Sequence, residues 1–411
     1  MVDMGMHVEL REISADRHGD FILPTLNAFG YAPNPERAAW MSRLPELTSR
    51  VGAFDGDALV GTAAAYTMTM TTPGGVAPVA GLTAVAVLPT HRRRGLLGQL
   101  VRRHLDYARA AGRALSCLWA TEPAIYGRFG YGVASKACSI RIERDRAAFR
   151  GEASAGGRAR LIGAAEAFEV FPEIWERARP LAAGMMSRSR LWWEFRRLSE
   201  NDPTQHDGGP LQRVVIEVGG RAEAYAAYRL ELRSDALQIP GGSLHVVEAI
   251  GATPLGTRLV WRYLLDIDLP QWIEASLLPP DHPLFLLLAE PRRLHLSASD
   301  GLWVRIVDVE AALAARAYGS GDALTLEVKD PGCPWNDGRF RLDGGARRAA
   351  RSTEAPDLRL DVAALGSAYL GGFSFRQLAD AGQVEALSEG AIERADGLFR
   401  AARAPWCPEI F

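Results

Sequence analysis

The run Val85-Ala86-Val87-Leu88-Pro89-Thr90-His91-Arg92-Arg93-Arg94-Gly95-Leu96-Leu97-Gly98 constrains this chain more than any other segment. Gly81 to Leu88 is almost wholly apolar, rich in valine and short, which predicts a strand covered on both faces. Pro89 cannot continue a β-ladder and ends it. Beyond Gly95, the apolar residues Leu96, Leu97, Leu100, Val101, Leu105 and Ala108 recur at helical spacing, with Arg102, Arg103, Asp106 and Arg109 opposite. The helix is therefore expected to begin near Arg94–Gly95, with its free N–H groups facing an arginine-rich turn. Such a turn is suited to a pyrophosphate, and Gly95 lets a phosphate come close to the backbone. A solvated basic turn and a nucleic-acid patch are the competing readings. The strand before and the helix after favour a phosphate-bearing cofactor.

These residues carry a family resemblance. Arg92-Arg93-Arg94-Gly95-Leu96-Leu97 resembles the acetyl-coenzyme A loop of the GNAT acetyltransferases, Arg/Gln-x-x-Gly-x-Gly/Ala, in its arginine and first glycine. Leu97 departs from that pattern, and the next glycine is Gly98. The chain resembles more closely a narrower family, the Eis-type (enhanced intracellular survival) aminoglycoside acetyltransferases. That likeness rests on the segment from Val85 to Leu97, on Ile125-Tyr126-Gly127-Arg128-Phe129-Gly130-Tyr131-Gly132, on Gly301-Leu302-Trp303-Val304-Arg305-Ile306, and on an aromatic last residue, Phe411.

Length and composition agree with an enzyme of several domains. A chain of 411 residues is too long for one ordinary core. Its net charge of −2 leaves no broad basic field for nucleic acid or an anionic membrane. No apolar run approaches the ~20 residues that span a bilayer, and Met1 to His7 has no signal-peptide pattern. A cytoplasmic protein is expected. Cys117, Cys138, Cys333 and Cys407 form no Cys-x-x-Cys pair, and the eight histidines show no ligand spacing. No metal site is expected.

Composition divides the chain into three parts. The first covers residues 1–150 and ends near the polar, glycine-containing stretch from Arg150 to Gly157. The second, 158–298, echoes it. Ala222 to Leu232 resembles Ala58 to Met68, and Leu244 to Leu264 resembles the strand, proline turn and helix of Gly81 to Leu105, without the arginine triplet. A duplicated fold whose second copy lacks the cofactor loop is the expectation. The third part, 299–411, carries strands at Trp303–Val307, Leu324–Val328 and from Gly338, and helices at Asp361–Leu370 and Ala391–Ala402. The resemblance implies an α/β (α+β) architecture: tandem GNAT-like acetyltransferase domains followed by a sterol-carrier-like α/β domain.

The chemistry the resemblance implies is transfer of an acetyl group from acetyl-CoA to an amine of a small molecule. Direct attack needs no covalent enzyme nucleophile, but it needs a base for the amine and an acid for the departing thiolate. The family match gives Tyr126 the role of general acid; from spacing alone, packing against a glycine-rich turn competes. It gives the α-carboxylate of Phe411 the role of general base, against the alternative of a frayed terminus. The apolar cluster Trp406, Pro408, Ile410 and Phe411 argues for docking. Val85, Ala86 and Val87 are expected along the pantetheine arm, through main-chain contacts. Arg92, Arg93, Arg94, Gly95, Leu96, Leu97 and Gly98 are expected at the pyrophosphate, with Arg93 and Arg94 foremost. Thr121 and Glu122 are expected at the thioester end.

The acceptor is less constrained. The family acetylates polycationic aminoglycosides in an acidic pocket. Asn27-Ala28-Phe29-Gly30-Tyr31 lacks an acidic residue where the family often has one. Glu36, Trp40, Glu46 and Glu409 remain candidates for the acceptor side, and a lysine side chain, a polyamine or another natural-product amine are open. The resemblance also implies a homohexamer, a trimer of dimers. Two other classes compete: a non-catalytic acetyl-CoA sensor, and a lipid-binding protein acting through the third domain.

Overall fold

The computed structural model describes residues 8–14, 21, 25–26, 28–30, 47–151, 156–200, 208–234 and 240–411. The chain divides into two compact units. One comprises Met1–Ser135, Gly301–Ala402 and Glu409–Phe411; the other comprises Lys136–Asp300 and Arg403–Pro408.

In chain order the strands begin with β1 (Val8–Glu12), β2 (Leu47–Asp55), β3 (Ala58–Thr72), β4 (Gly75–Val87), β5 (Leu115–Trp119), β6 (Gly132–Val133) and β7 (Lys136–Glu143). Then come β8 (Gly157–Leu161), β9 (Gln212–Val218), β10 (Arg221–Ser234), β11 (Pro240–Gly251), β12 (Trp272–Leu278) and β13 (Ser297–Asp300). The last are β14 (Leu302–Ile306), β15 (Ala323–Lys329), β16 (Gly338–Asp343), β17 (Arg348–Arg351), β18 (Leu358–Asp361) and β19 (Val384–Ala386). The helices that matter below are α1 (Leu96–Ala110), α2 (Pro123–Tyr126), α3 (Ala164–Ala178), α4 (Pro254–Leu265), α5 (Val309–Ala314), α6 (Val362–Tyr369), α7 (Phe375–Asp380) and α8 (Ala391–Phe399).

Two of the three sheets among the described residues have the same plan. The first runs β1-β2-β3-β4-β5-β14-β6, and the second, taken from the equivalent edge, runs β8-β9-β10-β11-β12-β7-β13. Each begins with an antiparallel meander of four strands. Each meander is followed by a parallel strand reached through a helix, α1 in one and α4 in the other. The echo seen in sequence is therefore a repeat of strand order. The sixth strand of each sheet, however, belongs in sequence beside the other sheet. β7 follows β6 after only Ala134 and Ser135 yet pairs with β12, and β14 follows β13 after Gly301 yet pairs with β5. Residues 136–143, in the first part by composition, thus join the second sheet, and residues 302–306, in the third part by composition, join the first.

β4 begins at Gly75, earlier than its apolar run suggests, and includes Pro78. Proline lacks the N–H a central strand must donate. The parallel pairing with β5 starts only at Val79 and stops at Gly81. Beyond Gly81 the two strands part. A register shift against β3 and a positive φ of 50° at Ala84 mark a bulge just before Val85. Helix α1 buries Leu96, Leu100, Val101, Leu105 and Ala108 in the core of the first sheet, as its spacing predicts.

The third sheet, β17-β16-β15-β18-β19, packs with α5 to α8. Its core contains Leu326, Val328, Phe340, Tyr369, Phe375 and Phe399. Arg316 is buried among them at 2% exposure. Its guanidinium donates to the carbonyls of Tyr369 (2.6 Å) and Phe399 (3.2 Å), the last residues of α6 and α8. A cation at two helix C-termini satisfies carbonyls that the helices leave free. Among the described residues, no helix is long and apolar enough to cross a membrane.

Candidate active site

A cleft of about 680 Å³ opens where β4 leaves β5. Val85, Ala86 and Val87 form one wall, Arg92, Arg93 and Gly95 to Gly98 one end, and Thr121, Glu122 and Tyr126 the far side. Twelve of the positions marked in the sequence therefore line one space: Val85, Ala86, Val87, Arg92, Arg93, Gly95, Leu96, Leu97, Gly98, Thr121, Glu122 and Tyr126. Ala28, Phe29, His91, Ile125 and Arg128 complete the wall. Arg94 is exposed on the same turn but is not part of the lining.

The turn from Leu88 to Gly95 is held from below. The Leu88 N–H donates to the Val60 carbonyl at 2.9 Å. His91 bridges Thr90 Oγ1 through Nδ1 (2.8 Å) and Asp55 Oδ2 through Nε2 (3.2 Å). Arg92 turns inward: Nε donates to the Val87 carbonyl (3.2 Å) and Nη2 to the Ala28 carbonyl (3.1 Å). It braces the turn; among the described residues Arg93 has no hydrogen-bond or ion-pair partner, and Arg128 stands over the Phe129 ring at 4.9 Å. Arg93 has a left-handed φ of 63°, and Gly95 one of 80°. Among the described residues, nothing lies within 4 Å of a Cβ built at Gly95, so the backbone there is open to a ligand. Among the described residues, no side chain caps the N-terminus of α1, and its first turn holds no acidic residue. Free N–H donors, a helix dipole and a guanidinium thus converge on one spot. The residues present fit a pyrophosphate. The strand edge at Val85–Val87, released from β5, could take an extended pantetheine arm as a further strand.

The opposite side is built by α2. Tyr126 ends this short helix, is buried at 9% exposure, and meets the Tyr131 ring edge-on at 6.0 Å. Burial raises the Tyr126 phenol above its ordinary range, and the nearby charge of Glu122 adds to it. The hydroxyl therefore keeps its proton through neutral pH. Tyr131 belongs to a buried chain: its hydroxyl meets Ser116 Oγ at 2.8 Å, and Ser116 Oγ meets His104 Nε2 at 2.7 Å. Burial holds His104 down at about 3, so its imidazole is neutral.

Phe411 is buried as well, at 8% exposure. Its ring meets Tyr66 edge-on at 6.4 Å and lies against Gly81, where β4 and β5 separate. Glu409 is buried at 1% exposure. Glu36, Trp40 and Glu46 lie outside the described residues. Among the described residues, no three His, Cys, Asp or Glu side chains are grouped to hold a metal ion.

Comparison with known proteins fits this geometry. A family model described as an acetyltransferase (GNAT) domain matches residues 9–134, and a second model of the same description matches 184–306. A sterol carrier protein domain model matches 309–408. Together with the cleft, these define the class: an N-acetyltransferase with two GNAT domains and a C-terminal sterol carrier domain. An uncharacterized N-acetyltransferase of Streptomyces avermitilis is 38% identical over 99% of this chain and 100% of its own. The N-acetyltransferase Eis of Mycobacterium tuberculosis is 33% identical over 93% of this chain and 94% of its own. The crystal structure of Eis1 from Mycobacterium abscessus superposes with a TM-score of 0.85 at 34% identity, covering 98% of this chain and 100% of that one. The chain belongs to the Eis family of GNAT N-acetyltransferases.

Proposed function

We propose that this enzyme acetylates amines of aminoglycoside-like or other polyamine acceptors by direct transfer from acetyl-CoA. Bound in the cleft, acetyl-CoA supplies an activated acyl group as a thioester. Arg93, Gly95 and the first turn of α1 hold its pyrophosphate, and Val85 to Val87 take the pantetheine arm. Tyr126 acts as general acid and gives its proton to the thiolate sulfur as the carbon–sulfur bond breaks. The α-carboxylate of Phe411 acts as general base and receives the proton the amine loses as the new carbon–nitrogen bond forms. A free α-carboxyl is only weakly basic, with an ordinary pKa of roughly 3.3 to 3.7.

One observation carries this reading: a buried Tyr126, its phenol held above the ordinary range by burial, lines the same cleft as the basic turn and Val85 to Val87. The Phe411 ring against Gly81 brings the last residue to that split. The side chains of Arg316, Tyr369, Phe375 and Phe399 fill the interior of the sterol carrier domain, which favours a scaffold over a lipid container. Glu36, Trp40 and Glu409 are proposed for the acceptor side. By family resemblance, the assembly is a cytoplasmic homohexamer, which sedimentation tests.

The activity is tested by thiol release from acetyl-CoA over a panel of aminoglycosides, polyamines and lysine peptides. Turnover on one class names the acceptor. Acetyl-CoA binding with no turnover on any amine would instead indicate a sensor.

A further inference from the structure

A buried ion pair ties the turn that follows Tyr126 to the sterol carrier domain. Arg305 lies on β14 with its side chain 0% exposed, and Asp330, just after β15, is 1% exposed. Arg305 Nη2 donates to both Asp330 oxygens, at 2.7 and 2.8 Å. Nη1 donates to the Ile306 carbonyl at 2.7 Å. Nε donates to the carbonyl of Phe129 at 2.8 Å.

Asp330 is equally committed. It accepts from the Cys333 N–H at 3.0 Å and from Asn336 Nδ2 at 2.9 Å. Asn336 in turn accepts from the Val309 N–H at 3.1 Å. A buried pair of this kind is weak evidence of stability, because desolvation consumes most of the attraction. What it fixes is a position. Phe129 closes the turn Gly127–Phe129 that directly follows Tyr126, and the Tyr131 N–H returns to the Tyr126 carbonyl at 3.3 Å. Gly130 leaves the turn at φ 80°, and a Cβ there would meet Arg305 Nε at 2.8 Å and Val362 Cγ1 at 2.7 Å. The turn fits only a glycine over that guanidinium.

The same loop reaches the cofactor helix. Arg102 of α1 donates to the Gly332 carbonyl, and Arg102 and Arg109 stand over the Trp335 ring at 5.4 and 4.1 Å. One loop of the sterol carrier domain, 330–337, thus contacts α1 directly and, through Arg305, the turn after Tyr126.

We propose that Arg305 and Asp330 are positioning residues for acetyl transfer, acting on the Tyr126 phenol through the Phe129 carbonyl. The sterol carrier domain is then a working part of the acetyltransferase site. This inference rests on Tyr126 as the proton donor, and the experiment separates the two ideas.

The full chain is compared as wild type, Arg305→Lys, Tyr126→Phe and the double variant. Arg305→Lys keeps the charge but loses the fork and Nε. The readouts are acetyl-CoA affinity, kcat, acceptor KM and the alkaline limb of kcat against pH. The expected result for Arg305→Lys is acetyl-CoA affinity and acceptor KM within about threefold of wild type, kcat down at least about tenfold, and a displaced alkaline limb. In the double variant, kcat falls little below that of Tyr126→Phe, because both changes remove one function. Gly130→Ala, which disturbs the same carbonyl from the turn, gives the same split if Arg305→Lys does not fold. Full turnover in Tyr126→Phe overturns the proton-donor reading and the clamp with it. A dead Tyr126→Phe beside normal kcat in Arg305→Lys or Gly130→Ala, or losses that multiply in the double variant, overturns the clamp alone.

Discussion

The ring of Phe411 lies on Gly81: a Cβ built at Gly81 would stand 3.0 Å from Phe411 Cε2 and 3.3 Å from Cδ2. The contact falls on the residue where β4 last pairs with β5. Gly81→Ala is expected to push the ring aside at a cost of about 1–3 kcal/mol of stability. Acetyl-CoA affinity, set farther along β4, is expected to stay within about threefold while kcat falls about tenfold. Calorimetry and steady-state kinetics on the same preparation check both halves.

Tyr126→Phe removes the proposed proton donor with little change in packing. The expected loss in kcat is about 10²-fold. Wild-type activity falls as pH rises through the phenol's pKa, because only the protonated form donates. That pKa is raised, by burial first and by Glu122 second, so the alkaline limb lies above that of an ordinary tyrosine. Glu122→Gln is expected to move the limb toward lower pH. A limb that does not move removes Glu122 from the electrostatics of the site.

Arg93 and Arg92 are expected to differ despite their adjacency. Arg93→Glu reverses the charge at the open end of the cleft, and acetyl-CoA affinity is expected to fall about 10- to 100-fold with a strong salt dependence. Arg92→Met removes the braces to Val87 and Ala28. Its effect is expected to be a loosened turn and a salt-independent loss of affinity. Titration calorimetry at two salt concentrations distinguishes the two.

His104 links stability to acidity. Its folded-state pKa, about 3, lies below the unfolded value near 6.5. The unfolded chain therefore takes the proton first, and stability present above pH 6.5 is lost as pH falls toward 3. His104→Gln is expected to be less stable at pH 7, yet to lose stability more slowly on acidification, by about 1.4 kcal/mol per pH unit. Urea midpoints from pH 7 to 5 give the two slopes, and equal slopes would show that His104 is not the group involved.

Local patterns were legible in the sequence. The apolar strand, Pro89 and the spacing from Leu96 to Ala108 specify a strand–turn–helix, because each signal acts within a few residues. The echo at Leu244 to Leu264 predicted a second copy, and the repeated strand order bears that out. The exchange of β7 and β14 was not legible. Which sheet a strand joins depends on partners more than a hundred residues away, such as Trp272 opposite Glu143. The inward turn of Arg92 was hidden for the same reason, since its acceptor at Ala28 is remote in sequence. Arg305 left one trace, an arginine in the otherwise apolar run Leu302–Ile306. A buried position for it was readable there; its partner Asp330 was not.

The most direct test compares thiol release by the chain ending at Phe411 with that of a form carrying two added glycines. Acetyl-CoA affinity and melting temperature are measured alongside. If the terminal carboxylate is the base, kcat falls at least about 10²-fold while affinity and melting stay near wild type. Full turnover by the extended chain would contradict it and require the base to be sought among the residues that line the cleft.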